Sequence, residues 1–209
     1  MPARALAESP GGNSGTGGYS GNDGRGGPES GAPERVYITG MLIALGGIVM
    51  FFSAFVSAWV VRRGLPNMDW QPIALPHILW LNTLVLAASS LTLAYSRRCL
   101  TRGDEAGRRY WWGITTILGV VFLAGQLLAW RQMFAAGLFL ATSPGSSFFY
   151  VFTAAHALHV LGGILALVTL AMRPPHRLTQ ATATRVVALY WHFLGALWLL
   201  LFAMLLLGE

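Results

Sequence analysis

Residues 148–172 read FFYVFTAAHALHVLGGILALVTLAM, and residues 185–207 read RVVALYWHFLGALWLLLFAMLLL. Neither stretch contains an acidic residue or a lysine. At about 1.5 Å per residue, each is long enough to cross a hydrocarbon core of about 30 Å as a helix. Three more apolar runs occupy 36–61, 78–95 and 111–130. An irregular or open-sheet segment at that depth would leave backbone groups unsatisfied in lipid. The expected fold is therefore an all-α integral membrane protein of five transmembrane helices spanning 35–209. Composition agrees: 55% of the 209 residues are hydrophobic and 11% charged, against about 25% charged in an average soluble domain.

Ahead of the first run, residues 1–34 hold ten glycines among Ser, Asn and Pro. That composition cannot bury a core and reads as a disordered tail. No apolar segment of signal-peptide type precedes Val36. The connection 64–77 contains Pro66, Pro72 and Pro76 with Trp70 between them, and reads as a turn-rich interfacial loop. Trp59, Trp80, Trp111, Trp112 and Trp130 fall near span ends, where aromatic rings commonly anchor helices at the headgroup level.

The net charge of +6 does not point to nucleic acid. All 14 basic residues are arginines, and they flank the apolar runs. Arg35 precedes the first run, Arg97, Arg98, Arg102, Arg108 and Arg109 separate the second and third, and Arg173, Arg177 and Arg185 lie between the fourth and fifth. Only Arg62, Arg63 and Arg131 fall on the other side. The positive-inside bias thus predicts a cytoplasmic N-terminus and an external C-terminus in the cell's inner (plasma) membrane. Cys99 is the only cysteine, which excludes a disulfide framework and a dithiol able to hold a dinuclear copper centre.

None of the eight acidic residues lies inside an apolar run. Proton relays and ion-coupled carriers place ionisable groups at depth, so a carboxylate-based pump built from this chain alone is disfavoured. The polar residues that do lie at depth are Asn82, Gln126, His156, His159 and His192, plus scattered hydroxyls. His156 and His159 are expected to share a face of the fourth span beside Gly162 and Gly163. His159 and His192 lie at depths differing by about 4 Å, which makes them candidate paired haem ligands. The alternative, imidazoles hydrogen-bonded across helix interfaces, contributes about 0.6–2 kcal/mol per bond and is the favoured reading.

Taken in order, the motifs carry a resemblance. The first run has MFFS at 50–53 and closes on Arg62 and Arg63; the second opens with Leu75 and Pro76 and continues through Leu81, Asn82 and Thr83 to Ser89 and Ser90. The third carries Gly119, Gln126 and Trp130. The fourth has TAAHALHV followed by Gly162 and Gly163, and the fifth has Tyr190, Trp191, His192 and Phe193 with Trp198 beyond. The chain resembles the subunit III family of haem-copper oxidases (cytochrome c and quinol oxidases) in its five-helix form. It departs from the family at three usual acidic positions, the first falling near Ile48 and the other two occupied here by Ala129 and Gly195. Any role of those carboxylates does not transfer.

The resemblance implies a non-catalytic subunit of an aerobic respiratory oxidase, with haem and copper in partner subunits and none in this chain. It implies packing against catalytic subunit I, support of proton uptake there, and phospholipid held in a cleft between a two-helix and a three-helix bundle. Asn82, Gln126, Trp130, His156, His159, Tyr190, Trp191, His192 and Trp198 are the expected packing residues. Arg97, Arg98, Arg108 and Arg109 are candidate contacts to lipid head groups. Gly40, Ala44, Ser53, Ala54, Ser57 and Ala58 offer the first span faces for close packing. Rival readings are subunit III of a quinol oxidase, an accessory subunit of a nitric-oxide reductase, a haem-binding membrane cytochrome anchor, and a small transporter.

Overall fold

Each apolar run lies inside a helix of the computed structural model, which describes residues 34–65, 75–172 and 177–208. The helices are α1 (Glu34–Gly64), α2 (Ile78–Thr101), α3 (Glu105–Ala135), α4 (Pro144–Met172) and α5 (Arg177–Leu207), with no strand among the described residues. The glycine-rich stretch through residue 33, most of the proline loop (66–74) and residues 173–176, including Arg173, lie outside the described residues. Several helices run past their apolar stretches: α2 continues beyond Tyr95, α3 starts at Glu105, and α5 starts at Arg177. Hydropathy ends where arginines begin. A helix does not, because arginine is a strong helix former and the backbone hydrogen bonds continue into the headgroup layer.

Between α2 and α3 the chain reverses within three residues. Gly103 takes a positive φ of 75°, the left-handed conformation that ends helices and favours glycine. Asp104 then caps α3, its carboxylate accepting from the Gly107 N–H at 2.8 Å. A Cβ on Gly107 would overlap the Asp104 carboxylate, so cap and glycine fit each other. Asp104→Ala should destabilise the protein by about 1 kcal/mol, seen as a lower thermal midpoint, while Asp104→Asn stays near the parent. An unchanged midpoint for the alanine variant would show that this cap does not hold the hairpin.

Helices α2, α3, α4 and α5 close a ring: α2 packs on α3 and α5, and α4 packs on α3 and α5. The α2–α3 contact is the most extensive and is tied along its length. Asn82 Nδ2 donates to the Phe122 carbonyl at 3.4 Å, Thr92 and Thr115 hydroxyls meet at 2.8 Å, and Ser96 Oγ donates to the Arg108 carbonyl at 3.0 Å. α1 lies outside the ring, against α4 and α5. The expected division into two helices and three, with a cleft between, is therefore not the one found. The tight turn at 102–104 forces α2 and α3 to be antiparallel neighbours, whereas the longer connection after α1 imposes no such adjacency.

The face that attaches α1 also differs from expectation. Leu45, Phe52 and Trp59, at seven-residue intervals, are its buried residues, a coiled-coil spacing that keeps one seam turned to a partner. Gly40, Ala44, Ser53, Ala54, Ser57 and Ala58 are exposed. Bulky side chains hold this helix, because they reach the groove between α4 and α5 without close backbone approach.

The outer surface is apolar. Met50 is 76% exposed, Ile43 72%, Leu158 70% and Leu84 68%, an arrangement that water would not tolerate over so large an area. All five helices are long and apolar enough to cross a membrane. This is an integral membrane protein.

Candidate functional site

The centre of the ring is organised by the fifth helix. Trp191 is almost fully buried, with its indole between a glycine of α3 and one of α4. A Cβ on Gly119 would lie 2.7 Å from Trp191 Cη2, and one on Gly163 would lie 3.0 Å from Cε3. The indole N–H reaches the fourth wall, donating to Ser89 Oγ of α2 at 3.0 Å. One side chain thus touches every helix of the ring, which is possible only because two walls present no Cβ at that level.

Two turns along, Trp198 is buried and donates from Nε1 to Thr83 Oγ1 of α2 at 3.0 Å. Its ring stands edge-on to Phe122 at 5.0 Å and lies 5.1 Å from His156. Two further expected packing residues make interhelical bonds: Trp130 Nε1 donates to Thr153 Oγ1 at 2.9 Å, and the Tyr190 hydroxyl to the His159 carbonyl at 3.0 Å. Aromatic N–H and O–H groups buried in an apolar interior need acceptors. Here small hydroxyl residues and helix carbonyls supply them. Thr153 opens the TAAHALHV motif of the fourth span, and its role there is to accept from Trp130.

Trp112 belongs with this set. It is 3% exposed and donates from Nε1 to the Leu167 carbonyl at 3.0 Å, and Trp59 is buried in the α1 seam. Neither is an interfacial anchor. Trp80, 56% exposed and edge-on to Phe202, sits on the outer surface. Position near a span end does not distinguish these cases; the direction of the side chain does.

The histidines separate. His156 has no exposed surface and packs on Phe122 of α3 and Trp198 of α5. His159 is partly exposed and packs on Phe51 and Phe52 of α1, with Nδ1 at 2.7 Å from the Ala155 carbonyl. A three-residue step turns a helix by about 300°. The remaining 60° is enough to send one ring into the bundle and the other toward α1, so they do not share one interface. His192 of α5 is partly buried. His159, one of the candidate axial pair, is thus engaged with α1 and with a carbonyl of its own helix. No cluster of three or more His, Cys, Asp or Glu suited to a metal occurs among the described residues.

Asn82 and Gln126 are both buried. Asn82 presses against Gly125, where a Cβ would overlap its Oδ1. Gln126, one turn from Phe122, and His156 bury their side-chain nitrogen and oxygen atoms without a hydrogen-bond partner among the described residues.

The candidate lipid-contact arginines divide as well. Arg108 is buried and its Nε donates to Glu105 at 2.9 Å, so it is a structural ion pair. Arg109 is exposed. Arg97 and Arg98 line a pocket with residues of α5, and the Arg98 guanidinium lies 5.5 Å from the Tyr95 ring centre.

Fold and site together define a polytopic helical membrane protein whose intramembrane polar and aromatic motif residues meet at helix interfaces. The family model described as cytochrome c oxidase subunit III matches residues 36–207, and the chain belongs to that family, a subunit of haem-copper oxidases. It is 36% identical over 182 residues to "Probable cytochrome c oxidase subunit 3" of Nocardia farcinica, covering 82% of this chain and 87% of that one. To "Cytochrome c oxidase subunit 3" of Corynebacterium diphtheriae it is 34% identical over 188 residues, covering 82% and 91%. The protein of the same name from Thermostichus vulcanus is 32% identical over 175 residues, covering 80% and 85%.

Proposed function

We propose that this subunit packs against catalytic subunit I of a cytochrome c oxidase, stabilises it and its proton uptake during turnover, and leaves haem and copper to the partner chains. The observation that carries the reading is the family match over residues 36–207, with the motif residues Trp130, Tyr190, Trp191 and Trp198 bonded across helix interfaces. Side chains engaged at different interfaces serve packing, which in lipid depends on close contact and interhelical hydrogen bonds. The orientation follows the arginine bias: N-terminus cytoplasmic, C-terminus external, in the cell's inner membrane. Phospholipid bound at the arginine-rich end belongs to the same reading.

Affinity purification from mild detergent tests it: a haem-copper catalytic subunit should co-purify. Recovery of the chain alone, or a haem band in the isolated chain, would overturn the proposal. Deleting the chain should leave the spectrum of the remaining complex intact while shortening its active lifetime under turnover. A C-terminal alkaline-phosphatase fusion should be active; an inactive one would reverse the orientation.

His159→Ala and His192→Ala should each lower the yield of assembled complex without moving any haem midpoint potential. For His159 the physical loss is the contact between α4 and α1. A shifted potential in either variant would assign the imidazole to a redox centre instead.

A further inference from the structure

We infer that the Gln126 carboxamide of α3 and the His156 imidazole of α4 are each other's hydrogen-bond partner, a polar tie that fixes how these two helices align along their length. Both side chains are almost wholly buried, at 1% and 0% exposure, and in the arrangement seen neither is bonded among the described residues. Polar atoms shut away from water are unfavourable unless paired, and native interiors pair nearly all of them.

The two residues sit among cross-links that join the same pair of helices. Trp112 of α3 donates to the Leu167 carbonyl of α4 at 3.0 Å, Phe122 stands edge-on to His156 at 5.8 Å, and Trp130 donates to Thr153 Oγ1 at 2.9 Å. Helices joined in this order are antiparallel. Gln126, one turn beyond Phe122 and one before Trp130, falls opposite the stretch from Thr153 to His156. Each Cα–Cβ bond tilts toward the start of its own helix. Gln126 therefore leans toward the level of Phe122, His156 leans toward the level of Thr153, and the two side chains converge.

Few other partners are available. The carboxamide atoms and both imidazole nitrogens are packed too closely for a water molecule to reach. Neighbouring polar groups are committed: Thr153 accepts from Trp130 and donates to the Phe149 carbonyl, Trp198 donates to Thr83, and Asn82 donates to the Phe122 carbonyl. A neutral imidazole has one donating and one accepting nitrogen, and a carboxamide both donates and accepts, so the groups match in either tautomer. A half-turn exchanges the ends of a carboxamide or an imidazole while keeping the outline of the side chain. The bond can thus form by rotation of terminal torsions, without parting the helices. Between spans that are apolar all round, little else marks one alignment over another, and a satisfied buried polar pair does.

Thermal midpoints of the purified subunit, together with whatever subunits accompany it, test the pair by sign. If the groups are bonded, Gln126→Met and His156→Leu each strand the other and lower the midpoint, by about 2–4 °C for one buried hydrogen bond in a chain of this size. The double variant, which strands nothing, should lie above either single one. Single variants equal to or above the parent would mean that each had removed an unpaired group, and strictly additive losses would mean that the two do not meet; either result overturns the pair. A second measurement needs no variant: solid-state NMR of the parent, with nitrogen-15 in its histidine rings and glutamine side chains, should show a contact between a His156 ring nitrogen and Gln126 Nε2. A resolved His156 signal lacking that contact would overturn the inference even if the variants failed to assemble.

Discussion

Trp191→Ala should lower the stability of the subunit by about 3 kcal/mol, measured as a fall in the thermal midpoint of the detergent-purified complex. Truncating a buried tryptophan in a soluble core costs about 3–5 kcal/mol through lost transfer energy and the cavity left behind. Between membrane helices the transfer part is small, since lipid tails are as apolar as the interior, so the lower end applies. What remains is loss of contact with the α3 and α4 backbones at Gly119 and Gly163, and of the bond to Ser89 Oγ. The space could not close easily, because each of the four helices is also held by other contacts. Trp191→Phe keeps most of the volume and removes only the N–H, so its loss should be near 1 kcal/mol. A midpoint for Trp191→Ala equal to the parent's would show that the ring does not depend on this side chain.

Gly125→Ala should be nearly as damaging, and the damage should be reversible by a second change. The added methyl would overlap Asn82 Oδ1, and Asn82 is a short side chain, 2% exposed and bonded to the Phe122 carbonyl. It cannot swing away without giving up that bond inside the bundle. Either α2 and α3 separate or the amide loses its partner, a loss of about 1–3 kcal/mol. In the double variant Gly125→Ala/Asn82→Ala the obstructing amide is gone and no unpaired polar group is left. Most of the stability should return, with a coupling of about 1–2 kcal/mol between the sites. Strictly additive losses would mean that the two residues do not meet as described.

Both predictions concern positions whose importance lies in contact. Asn82, Trp191 and Trp198 were recognisable from their motifs, and the structure joins them to Gly125, Ser89 and Thr83 respectively. The reverse inference fails. Arg108, read as a lipid contact, is an ion-paired residue of the α2–α3 corner, while Arg97, from the same arginine cluster, faces a pocket. Trp111 and Trp112 are adjacent in sequence, yet Trp112 is core and Trp111 stacks on Tyr95 at 5.4 Å on the protein's flank.

Class and family are legible in the amino-acid sequence. Apolar runs long enough to cross a bilayer admit only helices, because no other backbone arrangement can satisfy its own hydrogen bonds in lipid. The ordered residues from MFFS to YWHF identify the subunit III lineage without any geometry. Which helices are neighbours, and which face of each points inward, emerges from packing in three dimensions. In a soluble helix that face is marked by an apolar stripe. A membrane span is apolar all round, so exposed Ile43 and buried Leu45 look alike in the sequence. The ring of α2 to α5, the narrow seam of α1, the parting of His156 from His159 and the pocket shared by Arg97 and α5 all depend on that missing mark. Each is set by where a Cβ is absent, where a hydroxyl meets an indole, and how tightly two spans are tied at their shared turn.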